Sequence, residues 1–170
     1  MGETLLLDGK VALVTGGAQG LGRSIAEGFA GAGARGLLFD RVPAPGPLPT
    51  GWTFERGDVG NEDAVAGAVA RVREEFGRLD VAVANAGIVP PWRDTEAVDL
   101  AEWDQVFAIN VRGVMATIKH AVPLMKPRGG SILAMGSTNS WIGHGKQAAY
   151  TASKHAVLGI VRAAARDVGR

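Results

Sequence analysis

Apolar positions along the chain fall into two alternating kinds of run. Residues 11–14 (Val-Ala-Leu-Val) form a continuous apolar stretch closed by Thr15, Gly16 and Gly17, as expected of a strand buried on both faces. Residues 21–32 follow with apolar or small side chains at 21, 25, 26, 29 and 30, one face of a helix, and Gly33 lies near its end. A second strand is predicted over 36–40 and a shorter third over 52–56. Between them, residues 42–51 hold four prolines and two glycines, which forbids regular structure. Asn61 is placed to cap a helix running to 76, with Glu62 and Asp63 in its first turn and Arg71 and Arg73 toward its end, as the helix dipole favours. A fourth strand is predicted over 79–84 and one long helix over 100–125, its end broken or kinked by Pro123. A fifth strand over 131–135 and a last helix over 150–168 complete the pattern.

Strands and helices alternate, and the strands lack a period of two. That combination predicts an α/β fold with a doubly wound parallel sheet covered on both faces. The 170 residues make one domain, 1–170, with no internal repeat and no linker. Composition narrows the function classes. Eighteen basic against 17 acidic residues leave a charge of +1, too little to drive binding to nucleic acid or an anionic membrane. Without cysteine there is no disulfide framework, thiolate metal site or cysteine nucleophile, which suits a reducing, cytoplasmic setting. Residues 1–10 carry Glu3 and Asp8 around a three-leucine run and do not read as a signal peptide, and no stretch has the length of a membrane span. Glycine, at 25 of 170, is about twice its usual share and points to tight turns and close backbone approaches.

The turn after the first strand reads Thr15-Gly16-Gly17-Ala18-Gln19-Gly20-Leu21-Gly22 and leads into a helix. Glycines at 16, 20 and 22 suit a tight bend, backbone approach to a pyrophosphate and close helix–strand packing, with the helix N-terminus offering free N–H groups to phosphate. The flanking strand and helix give the pattern its meaning, because bare glycine spacings arise by chance in a glycine-rich chain. Asp40 ends the second strand 18 positions after Gly22, near the roughly 20-residue offset of a carboxylate that binds the adenosine ribose. A carboxylate there repels a 2′-phosphate and favours NAD over NADP. Gln19 agrees, since the glycine turn holds no cation. Arg41 is the dissenting neighbour, readable as support for NADP or as a solvated loop arginine.

Tyr150 and Lys154 stand four apart on the last helix and share a face, and Tyr150 is the chain's one tyrosine. An ammonium near a phenol stabilises the phenolate and makes tyrosine a usable general acid or base. With these residues in view, the sequence resembles the classical short-chain dehydrogenases/reductases. The resemblance rests on Thr15-Gly16-x-x-x-Gly20-x-Gly22, Asp58-Val59, Asn85-Ala86-Gly87, Asn110, Ser137 and Tyr150-Thr151-Ala152-Ser153-Lys154, in family order over essentially the whole chain. The resemblance implies an NAD(P)-dependent oxidoreductase that interconverts a secondary alcohol and a ketone without a metal. Gly16, Gln19, Gly20, Leu21, Gly22 and Asp40 would bind the cofactor with Asp58 and Val59 at the adenine and Asn85, Ala86 and Gly87 behind it. Tyr150 would exchange the proton, Ser137 would hydrogen-bond the same substrate oxygen, and Lys154 would also hold the nicotinamide ribose. Asn110 would seat a water linking Lys154 to solvent.

The family pattern continues beyond Arg170 into two further strands and a substrate-covering segment, so the resemblance implies a C-terminally truncated member. The strand order expected is 3-2-1-4-5 with the fifth strand a bare edge, and turnover is expected to be slow or absent. Two other readings stay open: a non-catalytic dinucleotide-binding module, and a methyltransferase that shares the glycine turn without needing Tyr150 and Lys154. The resemblance also implies a homo-oligomer, dimer or tetramer, paired through the helices at 100–125 and 150–168. His120, His144 and His155 lack metal-ligand spacing. Trp92, Trp141, Ile142 and Gln147 lie on loops at the carboxyl ends of strands and are candidate substrate contacts.

Overall fold

A computed structural model describes residues 5–169. Glu3 and Arg170, on which the readings of the two ends partly rest, lie outside the described residues. Five strands form one parallel sheet in the order β3-β2-β1-β4-β5: β1 Val11–Thr15, β2 Arg35–Asp40, β3 Trp52–Arg56, β4 Val81–Ala84 and β5 Ser131–Ala134. The order is the expected one. β1 is central and fully buried, with Leu13 in register with Leu37 on β2 and Ala82 on β4.

Helices cover both faces. The first helix, α1 (Gly20–Gly31), buries Ala26 and packs Ile25 and Phe29 on Ala12, Val14, Leu38 and Val83. On the opposite face α2 (Glu62–Phe76) and α4 (Gly113–Met125) bury Val65, Val72, Ala116 and Ala121 against Val11, Leu13, Leu37 and Phe39. The last helix, α5 (Ala148–Val168), joins α4 over Ala84 and Ala134 through Val157 and Ile160. Asn61 caps α2 as expected, its side chain accepting from the N–H groups of Asp63 and Ala64, and Gly77 closes the helix in the left-handed region. The proline-rich stretch is irregular; among its attachments, Leu48 reaches the α1-side core and the Arg23 guanidinium donates to the Pro47 carbonyl.

One helical reading needs correction. Residues 100–125 are not a uniform helix but α3 (Leu100–Phe107), a π-turn over Ala108–Arg112, and α4. The Gly113 N–H donates to the Ala108 carbonyl five residues back, the mark of one extra residue in the turn. Gly113 allows it to press on β3's exit, since an added Cβ would stand 2.8 Å from Val59 Cγ2. Pro123 does not end the helix, which runs on to Met125.

Candidate active site

The glycine turn is built by close approach. Gly16 and Gly20 have positive φ (63° and 55°), available to glycine at no steric cost. A Cβ at Gly22 would fall 2.1 Å from the Gly16 carbonyl oxygen, and one at Gly16 would fall 2.8 Å from Ala86 Cα. Side chains at the end of β1 and just after β4 strap this turn: Asn85 Nδ2 donates to the carbonyls of Thr15 and Gly16, and Thr15 Oγ1 accepts the N–H groups of Asn85 and Ala86. Gln19 stands at the N-cap of α1 with its side chain making no capping bond. The first turn of α1 thus keeps its positive end and free N–H groups for an external anion. Asp40 is oriented by two backbone donors, Oδ2 accepting from Ala18 at 2.9 Å and Oδ1 from Val42 at 3.2 Å. Asp58 is held likewise by the N–H of Gly60.

These groups surround an open cleft of about 390 Å³. Of the residues singled out for a cofactor, Gly16, Gln19, Leu21, Gly22, Asp40, Asp58, Val59, Asn85, Ala86 and Gly87 line it, together with Arg41. Gly20 does not line the cleft, though its outward face meets nothing within 4 Å. Tyr150 and Lys154 stand outside this wall; Lys154 meets it at Gly87, where a Cβ would lie 3.8 Å from Lys154 Nζ and 3.3 Å from Asn110 Oδ1.

Lys154 is 5% exposed. Its Nζ donates to the Met135 carbonyl at 2.7 Å and lies 5.7 Å from the centre of the Tyr150 ring, so the two side chains do share a face. Burial pushes the Lys154 ammonium below the ordinary lysine pKa. The π-turn carries Asn110 inward to complete burial. There Oδ1 accepts the Ile88 N–H at 2.8 Å, while Nδ2 donates to the Ile88 carbonyl and to Ser153 Oγ. Ser153 in turn donates to the Tyr150 carbonyl at 2.7 Å. Ser137 opens a single 3₁₀ turn over Thr138–Ser140, its Oγ accepting from Asn139 N–H at 3.2 Å while Ser140 Oγ accepts from Ser137 N–H.

The loop residues separate. Trp92, Trp141 and Ile142 are all more than half exposed, and the Arg162 guanidinium lies over Trp141 at 5.1 Å. Gln147 is half-buried and bonded to Asn139. Arg93 N–H donates to the Lys146 carbonyl and joins the two loops. His120 pairs with Glu62, His155 with the Thr151 carbonyl, and no group of three metal-ligating side chains occurs among the described residues. Asn139 and Ser153 are both buried and bonded to the site; Ser153 stood in the sequence only as part of the Tyr150–Lys154 motif, and Asn139, within the polar run 137–140, carried no signal. Among the described residues no helix is long and apolar enough to cross a membrane.

The family model described as short chain dehydrogenase matches residues 10–170. Short-chain dehydrogenase reductase 3c of Arabidopsis thaliana is 38% identical over 98% of this chain and 67% of its own length. Secoisolariciresinol dehydrogenase of Forsythia intermedia is 40% identical over 96% of this chain and 62% of its own. The crystal structure of carveol dehydrogenase from Mycobacterium avium in complex with NAD superposes with a TM-score of 0.88 at 32% identity, covering 96% of this chain and 67% of that one. The chain therefore spans about two-thirds of the length of the relatives it matches. It belongs to the short chain dehydrogenase family.

Proposed function

We propose that this chain carries the nucleotide site and proton-transfer site of an NAD-dependent oxidoreductase interconverting a secondary alcohol and a ketone. The observation that carries the reading is the meeting of two features at Gly87: the cleft beneath the glycine turn, and the buried lysine beside the lone tyrosine. The cleft's donor set fits a dinucleotide. Glycines 16 and 22 leave no room for a Cβ at the turn, the uncapped end of α1 suits a pyrophosphate, and Asp40 suits a ribose diol. Each Asp40 oxygen accepts one backbone bond and retains a lone pair for a ribose hydroxyl. Its charge opposes a 2′-phosphate and favours NAD, while Arg41 on the same wall supports residual NADP use.

A nicotinamide dinucleotide, when bound, supplies the hydride chemistry. The chain's own residues handle the proton. Tyr150 takes it from the alcohol hydroxyl in oxidation and returns it to the carbonyl oxygen in reduction. Lys154 stabilises the phenolate that accepts this proton in oxidation and that reduction leaves on Tyr150. Ser137 Oγ already accepts from Asn139 N–H, so its own hydrogen is free to bond the substrate oxygen. Asn110 and Ser153 fix α5 and the segment after β4 to one another.

Calorimetric titration with NAD and NADP, followed by absorbance at 340 nm with a panel of cyclic and acyclic secondary alcohols, tests the reading. NAD is expected to bind more tightly than NADP. Tyr150→Phe is expected to keep NAD affinity and lose about 10²- to 10⁴-fold in rate. Equal rates in wild type and Tyr150→Phe would overturn the proton-transfer assignment. The span of two-thirds of the relatives' length favours one second reading, a nucleotide-binding module without turnover, in which NAD binds and no alcohol is oxidised. Outward apolar side chains on α4 and α5, Met115 and Val161, support pairing of copies through these helices.

A further inference from the structure

Asn139 lies in the turn after β5 yet is 4% exposed. Its Nδ2 donates to Gln147 Oε1 and to Thr151 Oγ1, both at 2.9 Å, and its backbone N–H donates to Ser137 Oγ at 3.2 Å. One residue therefore contacts the Ser137 hydroxyl, the residue at the N-cap of α5, and the neighbour of Tyr150. The turn holds its own shape by internal bonds, from Ser137 N–H to Ser140 Oγ and from Ser140, Trp141 and Ile142 N–H back to Ser137 and Thr138 carbonyls. Helix α5 is held elsewhere, by Ser153 on Asn110 and by Lys154 on Met135. Among the described residues, the Asn139–Thr151 bond is the one hydrogen bond that joins the Ser137 turn to α5.

We propose that Asn139 is a positioning residue that sets the separation between the Ser137 hydroxyl and the Tyr150 phenol. The proposal rests on the oxidoreductase reading above, in which both groups meet one substrate oxygen. Two N–H donors satisfied on the buried Asn139 side chain make a stiff link, because breaking either leaves a buried polar group unpaired. Without the link the turn and the helix each persist, but their registry is free to drift, and a displacement of about 1 Å at reacting groups costs about 10²-fold in rate. The nucleotide cleft shares no residue with the link, so cofactor affinity is expected to be untouched.

The test measures kcat, KM and NAD affinity for wild type, Asn139→Ala, Ser137→Ala and the double variant. Asn139→Ala is expected to lower kcat by about 30-fold, within the loss that such a displacement implies, with NAD affinity within twofold of wild type. On the Ser137→Ala background the same substitution is expected to change kcat less than twofold, since no hydroxyl remains to be placed. Such non-additivity is the signature of action through Ser137. Thr151→Val cuts the same link without touching the turn, and serves if Asn139→Ala does not fold; it is expected to lower kcat in the same direction. Multiplicative losses in the double variant, or a wild-type kcat in Asn139→Ala, would overturn the proposal and leave the oxidoreductase reading intact. A wild type that binds NAD and turns over no alcohol overturns both, and is distinguished because the failure is already present before any substitution.

Discussion

Lys154 keeps an ammonium where burial disfavours it, with the Met135 carbonyl as its hydrogen-bond acceptor. The folded chain thus holds this proton less firmly than the unfolded chain does. At pH below the folded value both states are protonated and the burial penalty is fully present. Between the folded value and the higher unfolded one, the unfolded chain binds a proton that the folded chain has released, so unfolding free energy rises with pH. Lys154→Met removes this dependence. Urea titrations from pH 7 to 10 are expected to show wild-type stability gaining on that of Lys154→Met as pH rises; parallel curves would refute the assignment. Lys154 and Tyr150 were legible in the sequence because their relation is local, four positions on one helix. Gly22 was legible for the same reason, its close contact with the Gly16 carbonyl lying within one turn. Asn139 was not, because its polar partners are set by how a loop folds back onto a helix.

At the scale of elements, Asp80 ties the starts of three strands. Its carboxylate Oδ2 accepts from Val11 N–H at 2.9 Å, its own N–H donates to the Val11 carbonyl, and its carbonyl accepts from Ser131 N–H. Burial pushes the carboxyl up, but the Arg78 guanidinium and the Val11 N–H outweigh it and hold the group below the usual carboxylate range. The stabilisation is therefore present above the ordinary carboxylate range and is lost as pH falls through the folded value. Asp80→Ala is expected to cost about 2 to 3 kcal/mol at pH 7, and the difference from wild type is expected to shrink toward pH 2; chemical denaturation at both pH values checks it. The fourth strand was expected from 79, whereas Val81 is its first paired residue, the two positions before it serving this anchor and the core. The parallel α/β pattern and the Asn61 cap follow from apolar runs and local chemistry that a sequence displays, whereas the strand order was implied by the family resemblance. The π-turn at Asn110 does not, since one extra residue barely disturbs the apolar spacing of a long helix while turning a polar side chain inward. What demands it is tertiary: Gly113 against Val59 and Asn110 against Ile88.

For the whole molecule the unbalanced feature is the side of the sheet that ends in β5. That strand pairs with β4 and has no second neighbour among the described residues. Ile132 and Ala134 pack toward α4 and α5, whereas Leu133 points the other way and is 46% exposed. An apolar groove of about 700 Å³ runs alongside between α4, β5 and α5. Unpaired backbone donors and acceptors next to exposed apolar side chains form a template for another strand, so the 170-residue chain is expected to associate as its concentration rises. Leu133→Lys places a charge on that edge, the device by which natural sheets resist edge pairing. The position is already half in water, so its cost in stability is expected to stay within about 0.5 kcal/mol. The nucleotide cleft, bounded by the turn after β1 and the segment after β4, does not include it. Sedimentation velocity across a concentration series is expected to shift toward the monomer in Leu133→Lys while NAD affinity is retained. The outward face of α4 at Met115 lies outside both the edge and the groove; a distribution unchanged by Leu133→Lys but altered by Met115→Glu would assign the association to that helix face instead.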